Sequence, residues 1–73
     1  MTMDIQYAKD LIAKELIVCL VQEKGMSLQQ AFDTLYSSML FRKLQDTETG
    51  LYYQSPLYCF ELLEHELKFG KIA

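Results

Sequence analysis

Along the first third of the chain, Ile5, Ala8, Ile12, Leu16, Cys19 and Leu20 recur at three- and four-residue steps, which places them on one helical stripe. Tyr7, Leu11, Val18 and Val21 form a second stripe beside it. Together they predict a helix over 5–24 whose apolar surface is wider than an ordinary surface helix requires. Such a helix asks to be covered on more than one side. Gly25 follows the last periodic residue and suits a left-handed C-cap, while Lys24 complements the carbonyl end of the helix dipole.

Ser27 and Gln30 then form a capping box, with Met26 placed to staple against Ala31, so a second helix starts at Leu28 and runs over 28–37. Its inward positions are Leu28, Ala31, Phe32 and Leu35, extended by Tyr36 and Met39, with Gln29, Gln30 and Asp33 facing out. The serine pair Ser37-Ser38 favours a break that recaps a short extra helix near 39–45 through Leu40, Phe41 and Leu44. Asp46 to Gly50 has the composition of an exposed turn, and Leu51 to Gln54 is an ordered loop. Ser55-Pro56 pairs a capping serine with proline at a first helical position, which opens a third main helix over 56–69. Phe60, Leu63 and Leu67 make its inner stripe and Cys59, Leu62 and Phe69 a flanking one, before Gly70 ends the periodicity.

The predicted fold is therefore all-α, a compact bundle of three main helices in a single domain, 1–73. A domain of this length buries only about 60–65% of the surface its unfolded chain exposes. The chain is nonetheless 51% hydrophobic, above the usual share, so its apolar surface outruns its core.

Charge and short motifs narrow the function classes. Ten acidic against seven basic residues give a net charge of −3, with no basic stripe to neutralise phosphates, so nucleic acid is an unfavourable partner. Gly25-Met26-Ser27 followed by Leu28-Gln29-Gln30 has the form of a helix-turn-helix. A DNA-binding regulator using the second helix is accordingly the alternative function, although no Arg or Lys follows until Arg42 and Lys43. The longest apolar run, Leu16 to Val21, covers six residues where a membrane span takes roughly 20. Met1 to Lys9 contains Asp4 and lacks a basic start with an apolar core, which predicts no secretory signal and a cytoplasmic location. Cys19 and Cys59 lie in separate apolar helical stretches, as expected for reduced, buried thiols.

Catalytic apparatus is sparse. His65 is the single histidine; Glu61 lies four residues before it, a spacing that could hold a divalent metal only with ligands from another chain. With glycines at 25, 50 and 70 alone there is no phosphate-cradling loop. The expectation is a non-enzymatic protein without metal or cofactor.

The most unusual composition is Leu51-Tyr52-Tyr53-Gln54-Ser55-Pro56-Leu57-Tyr58. Tyrosine joins a large apolar ring to a polar tip and suits both domain rims and partner surfaces. Tyr52, Tyr53 and Tyr58 either pack the loop back over the helices or form contact surface, and with Gln54 they are the candidate partner-binding residues.

Ser27 to Phe32, Tyr36 to Ser38, and Gly50 to Tyr58 before Glu61-Leu62-Leu63 together resemble a family of small bacterial helical proteins known only as a domain of unknown function. The resemblance spans about two thirds of the chain and rests on caps and packing positions. Members of that family are often encoded beside ADP-ribosyltransferase-like toxin proteins. The resemblance thus implies an antitoxin-like partner role and carries over no functional residues. The expected function is a small protein-interaction module that binds another protein or itself, a homodimer being one form.

Overall fold

A computed structural model describes residues 4–70. Four α-helices follow in chain order: α1 (Ile5–Lys24), α2 (Leu28–Tyr36), α3 (Met39–Gln45) and α4 (Pro56–Phe69). Two single-turn 3-10 helices, Thr47–Thr49 and Leu51–Tyr53, link α3 to α4. No strand occurs among the described residues.

Cap chemistry sets the boundaries. The Asp4 carboxylate accepts from the Gln6 N–H at 3.1 Å and opens α1. At its far end Gly25 takes φ +68°, and the N–H groups of Gly25 and Met26 both reach the Leu20 carbonyl, satisfying an end that would otherwise be left open. Ser27 accepts from the Gln30 N–H at 3.1 Å while the Gln30 side chain accepts from the Ser27 N–H at 3.0 Å, a complete capping box on α2. Ser55 accepts from the Tyr58 N–H at 3.1 Å, and Pro56 begins α4.

Every helix contributes to one core. Leu16 and Leu20 of α1, Leu35 of α2, Leu40 and Leu44 of α3, and Cys59 and Leu63 of α4 are fully buried. Ile12, Ala13, Ile17, Ala31, Leu51 and Phe60 complete the cluster, with Met26, Phe32, Phe41, Tyr52 and Leu62 packed half-buried against it. Fully burying a leucine stabilises by about 1.5–3 kcal/mol, so these leucines supply much of the driving force.

The segment over 39–45 is a full member of the bundle, giving four α-helices where three main ones were expected. Its seven residues are too few to hold a helix on propensity alone. Ser38 Oγ accepts from the Phe41 N–H at 3.0 Å and donates to the Leu35 carbonyl at 2.6 Å. Glu66, from α4, accepts from the Met39 N–H at 2.7 Å and the Leu40 N–H at 2.8 Å, one oxygen to each. At the other end Lys9 of α1, only 6% exposed, donates from Nζ to the Gln45 carbonyl at 2.5 Å and to Thr47 Oγ1 at 3.1 Å. A carboxylate at the amino end and an ammonium at the carbonyl end both oppose the dipole of α3. Hydrogen bonds to charged groups contribute about 1.5–3 kcal/mol each when well shielded.

Several facing assignments are corrected. Ile5 at the start of α1, Leu28 and Tyr36 on α2, Met39 on α3, and Leu67 and Phe69 on α4 are exposed, and Cys19 is half-buried. Ala13 and Ile17, assigned to neither stripe, are core residues because α2 and α3 pack on that flank of α1. Within the segment Leu51 to Gln54, expected as an ordered loop, Leu51–Tyr53 forms a 3-10 turn.

Candidate protein-interaction surfaces

The tyrosine-rich turn is built from its glycine onward. Gly50 takes φ +70°, a conformation that favours glycine, and turns the chain so that Leu51 drops into the core. The 3-10 turn then projects the next two rings differently. Tyr52 is half-buried against the core and Tyr53 is 80% exposed, although the two rings stay in contact with centroids 4.3 Å apart. The hydrogen bond with Tyr53, then burial, then the Tyr53 charge raise the Tyr52 phenol above its ordinary value. Gln54 is exposed, and its N–H closes the turn on the Leu51 carbonyl at 3.0 Å. One helical turn on, Leu57 and Tyr58 are both exposed at the start of α4. Of the four predicted partner-binding residues, Tyr53, Gln54 and Tyr58 thus lie on the surface, with exposed Leu57 between them in sequence, while Tyr52 packs half-buried against the core and touches the Tyr53 ring.

A second apolar surface lies elsewhere. A groove of about 430 Å³ runs between α1, α2 and α3, lined by Ala13, Ile17, Val18, Leu28, Phe32, Tyr36 and Phe41, with Asp10, Lys14 and Gln45 at its polar edges. A smaller hollow of about 210 Å³ adjoins it and shares Ile17, Val18 and Leu28. Phe32, Tyr36 and Phe41 form a short aromatic chain along its wall, with centroid separations of 5.5 and 4.8 Å. On α1 the exposed Tyr7, Leu11 and Val18 continue the apolar surface past the groove. Tyr7, Leu11 and Val18 of the second stripe form this uncovered face, while Val21 packs half-buried against the core: α2 and α3 cover one flank of the helix, α4 and the 3-10 turn cover another, and the side opposite the core stays open. Periodicity signalled that the stripe was apolar; it carried no sign of whether a neighbour would cover it.

Glu61 and His65 line a shallow depression with Lys24, Glu64 and Lys68, and the His65 ring contacts Phe69 at 4.6 Å. Lys24 pairs with Glu64 at 2.6 Å across the depression. Among the described residues, no three His, Cys, Asp or Glu side chains converge as metal ligands would. Burial raises the Cys19 thiol, and Glu15, Glu23 and Glu64 raise it further; burial alone raises Cys59, whose Sγ–H donates to the Leu51 carbonyl at 3.7 Å. A nucleophilic cysteine needs the opposite shift, toward thiolate at neutral pH.

The remaining sequence motif concerns α2. This helix carries no Lys or Arg. Arg42 and Lys43 are exposed on α3 beyond it. No helix among the described residues is long and apolar enough to cross a membrane. No family model, curated protein or solved structure matches the chain.

Proposed function

We propose that this chain is a small non-enzymatic interaction module that docks onto another protein through the Tyr53-Gln54-Leu57-Tyr58 surface. The observation that carries this reading is the surplus of exposed apolar side chains. Among the described residues twelve large hydrophobic side chains are exposed. Scattered apolar residues are ordinary on protein surfaces, whereas contiguous ones mark interaction sites. Here Tyr53, Leu57 and Tyr58 are exposed within six positions of one another, on a segment set by a positive-φ glycine, a buried leucine and a serine cap. Tyrosines on a rigid support lose little side-chain entropy on docking, and so they recur among residues that dominate binding energy. The resemblance to proteins encoded beside ADP-ribosyltransferase-like toxins makes a toxin chain the partner class to test first.

The test is site-specific photo-crosslinking inside the cell that makes the protein, with the reactive group at position 53 or 57 and, as a control, at exposed Gln22 on α1. One heterologous chain captured from 53 and 57, absent from 22 and lost in Tyr58→Ala, is the expected result. Capture of the same mixture from all three positions would count against the surface.

A further inference from the structure

We propose that the open face of α1 together with the groove beside it is a homodimer seam, occupied by α1 of a second copy running antiparallel. This goes beyond the partner surface on Tyr53 and Tyr58 and shares no residue with it. Tyr7, Leu11, Lys14 and Val18 follow one another at steps of four, three and four, a single line along the face opposite the core. A two-fold axis crossing α1 midway between Ile12 and Ala13 sets Tyr7 against Val18 of the other copy and Leu11 against the aliphatic stem of Lys14.

Charge complementarity fixes that register. Asp10 and Lys14 are four residues apart on the groove side of α1, both at the groove edge. Lys24 pairs with Glu64, and the Asp10 carboxylate accepts from Gln6 Nε2 at 2.9 Å. In an antiparallel two-fold pair, residues on one flank meet the same flank of the other copy. Asp10 then faces Lys14 and Lys14 faces Asp10, giving two ion pairs from one self-complementary edge. A parallel two-fold pair would set this flank against the opposite flank of the other copy, so Asp10 and Lys14 would not meet.

The available area is of the right order. At about 1.5 Å per residue α1 is about 30 Å long and α2 about 14 Å, each about 10 Å wide. That patch is on the order of 400 Å² in projection, and accessible area exceeds projected area. A standard interface takes about 800 Å² per partner, about one sixth of the 4998 Å² surface of this chain.

Light scattering and sedimentation of the purified chain, over concentrations from about 1 μM to 1 mM, test the seam. The expected species is a dimer of the 8.5 kDa chain. Asp10→Lys and Lys14→Asp, each alone, should dissociate it at least tenfold more readily with helicity unchanged, because both side chains are on the surface. Mixing the two variants should restore a dimer containing one of each, and the double variant Asp10→Lys/Lys14→Asp should dimerise with itself. A wild-type chain that is monomeric at 1 mM overturns the seam, as does a dimer indifferent to both single reversals. Either outcome leaves the photo-crosslinking result at Tyr53 and Leu57 standing, so the two proposals fail separately.

Discussion

Helices α1 and α3 sit side by side and owe their existence to different things. The 20 residues of α1 carry an unbroken apolar period, an aspartate cap and a glycine stop, all encoded within the helix and its immediate flanks. The seven residues of α3 carry two buried leucines and one serine cap of their own. Their remaining constraints come from Lys9, which lies 36 positions before the Gln45 carbonyl it holds, and from Glu66, 27 and 26 positions after the two N–H groups it accepts from. A long helix can be specified locally, whereas a short one is specified by whichever neighbours hold its ends.

That contrast can be broken at its strongest point first. Leu20→Ala should destabilise the whole protein by about 3 kcal/mol, within the 2–5 kcal/mol range for emptying a fully buried leucine site, and denaturant unfolding would show it with every helix lost together. Glu66→Ala should cost about 1–2 kcal/mol, reduced from the fully shielded value because the carboxylate is half-exposed. Amide hydrogen exchange should localise the loss to α3, with α1 protection nearly intact. Lys9→Met keeps the stem packed and removes the ammonium, so a similar or slightly smaller loss should appear at the carbonyl end of α3 and at Thr47. If either variant loosened α1 and α3 equally, the two helices would not differ in the way described.

A weaker effect is set by alkaline pH. Both thiols are raised above the ordinary value of 9.0, Cys59 by burial and Cys19 by burial and then by its acidic neighbours, so the folded state holds these protons more tightly than the unfolded chain. Their contribution is complete below about pH 9 and drains as pH rises through the folded values. Stability should therefore be insensitive to the thiols from pH 7 to about 8.5 and fall above pH 9, and Cys59→Ala should flatten part of that fall. Alkylation followed by mass spectrometry at neutral pH should modify half-buried Cys19 faster than buried Cys59. Smallest of all, Tyr53→Ser should change stability by no more than about 0.5 kcal/mol, because the ring is 80% exposed, while removing the partner captured from that turn.

The same division explains how much was legible in the sequence. The caps at Gly25, Ser27 and Ser55-Pro56 placed three helix boundaries, because a cap is a local stereochemical requirement with a short list of residues that meet it. The serine recap also favoured α3, although its status as a full helix rests on Glu66 and Lys9, which no local pattern connects to it. Lys9 looks like any surface lysine in a helical repeat until Gln45 and Thr47 are folded against it. Facing errors cluster where apolar residues outnumber the positions available to bury them, at Leu28, Tyr36, Leu67 and Phe69. At the tyrosine turn, composition marked the segment but could not separate Tyr52 from Tyr53, since a 3-10 turn, not the residue type, decides which adjacent ring points inward.

Vectorial synthesis gives the Lys9 and Glu66 anchors an order. Lys9 is synthesised before α3, so the tether for the carbonyl end of that helix is already part of the chain when Gln45 is added. Glu66 is added only after 20 further residues have followed Gln45, and until α4 winds and swings the carboxylate into place the Met39 and Leu40 amides have only water to bond. The amide end of α3 therefore gains its carboxylate partner only once α4 has formed.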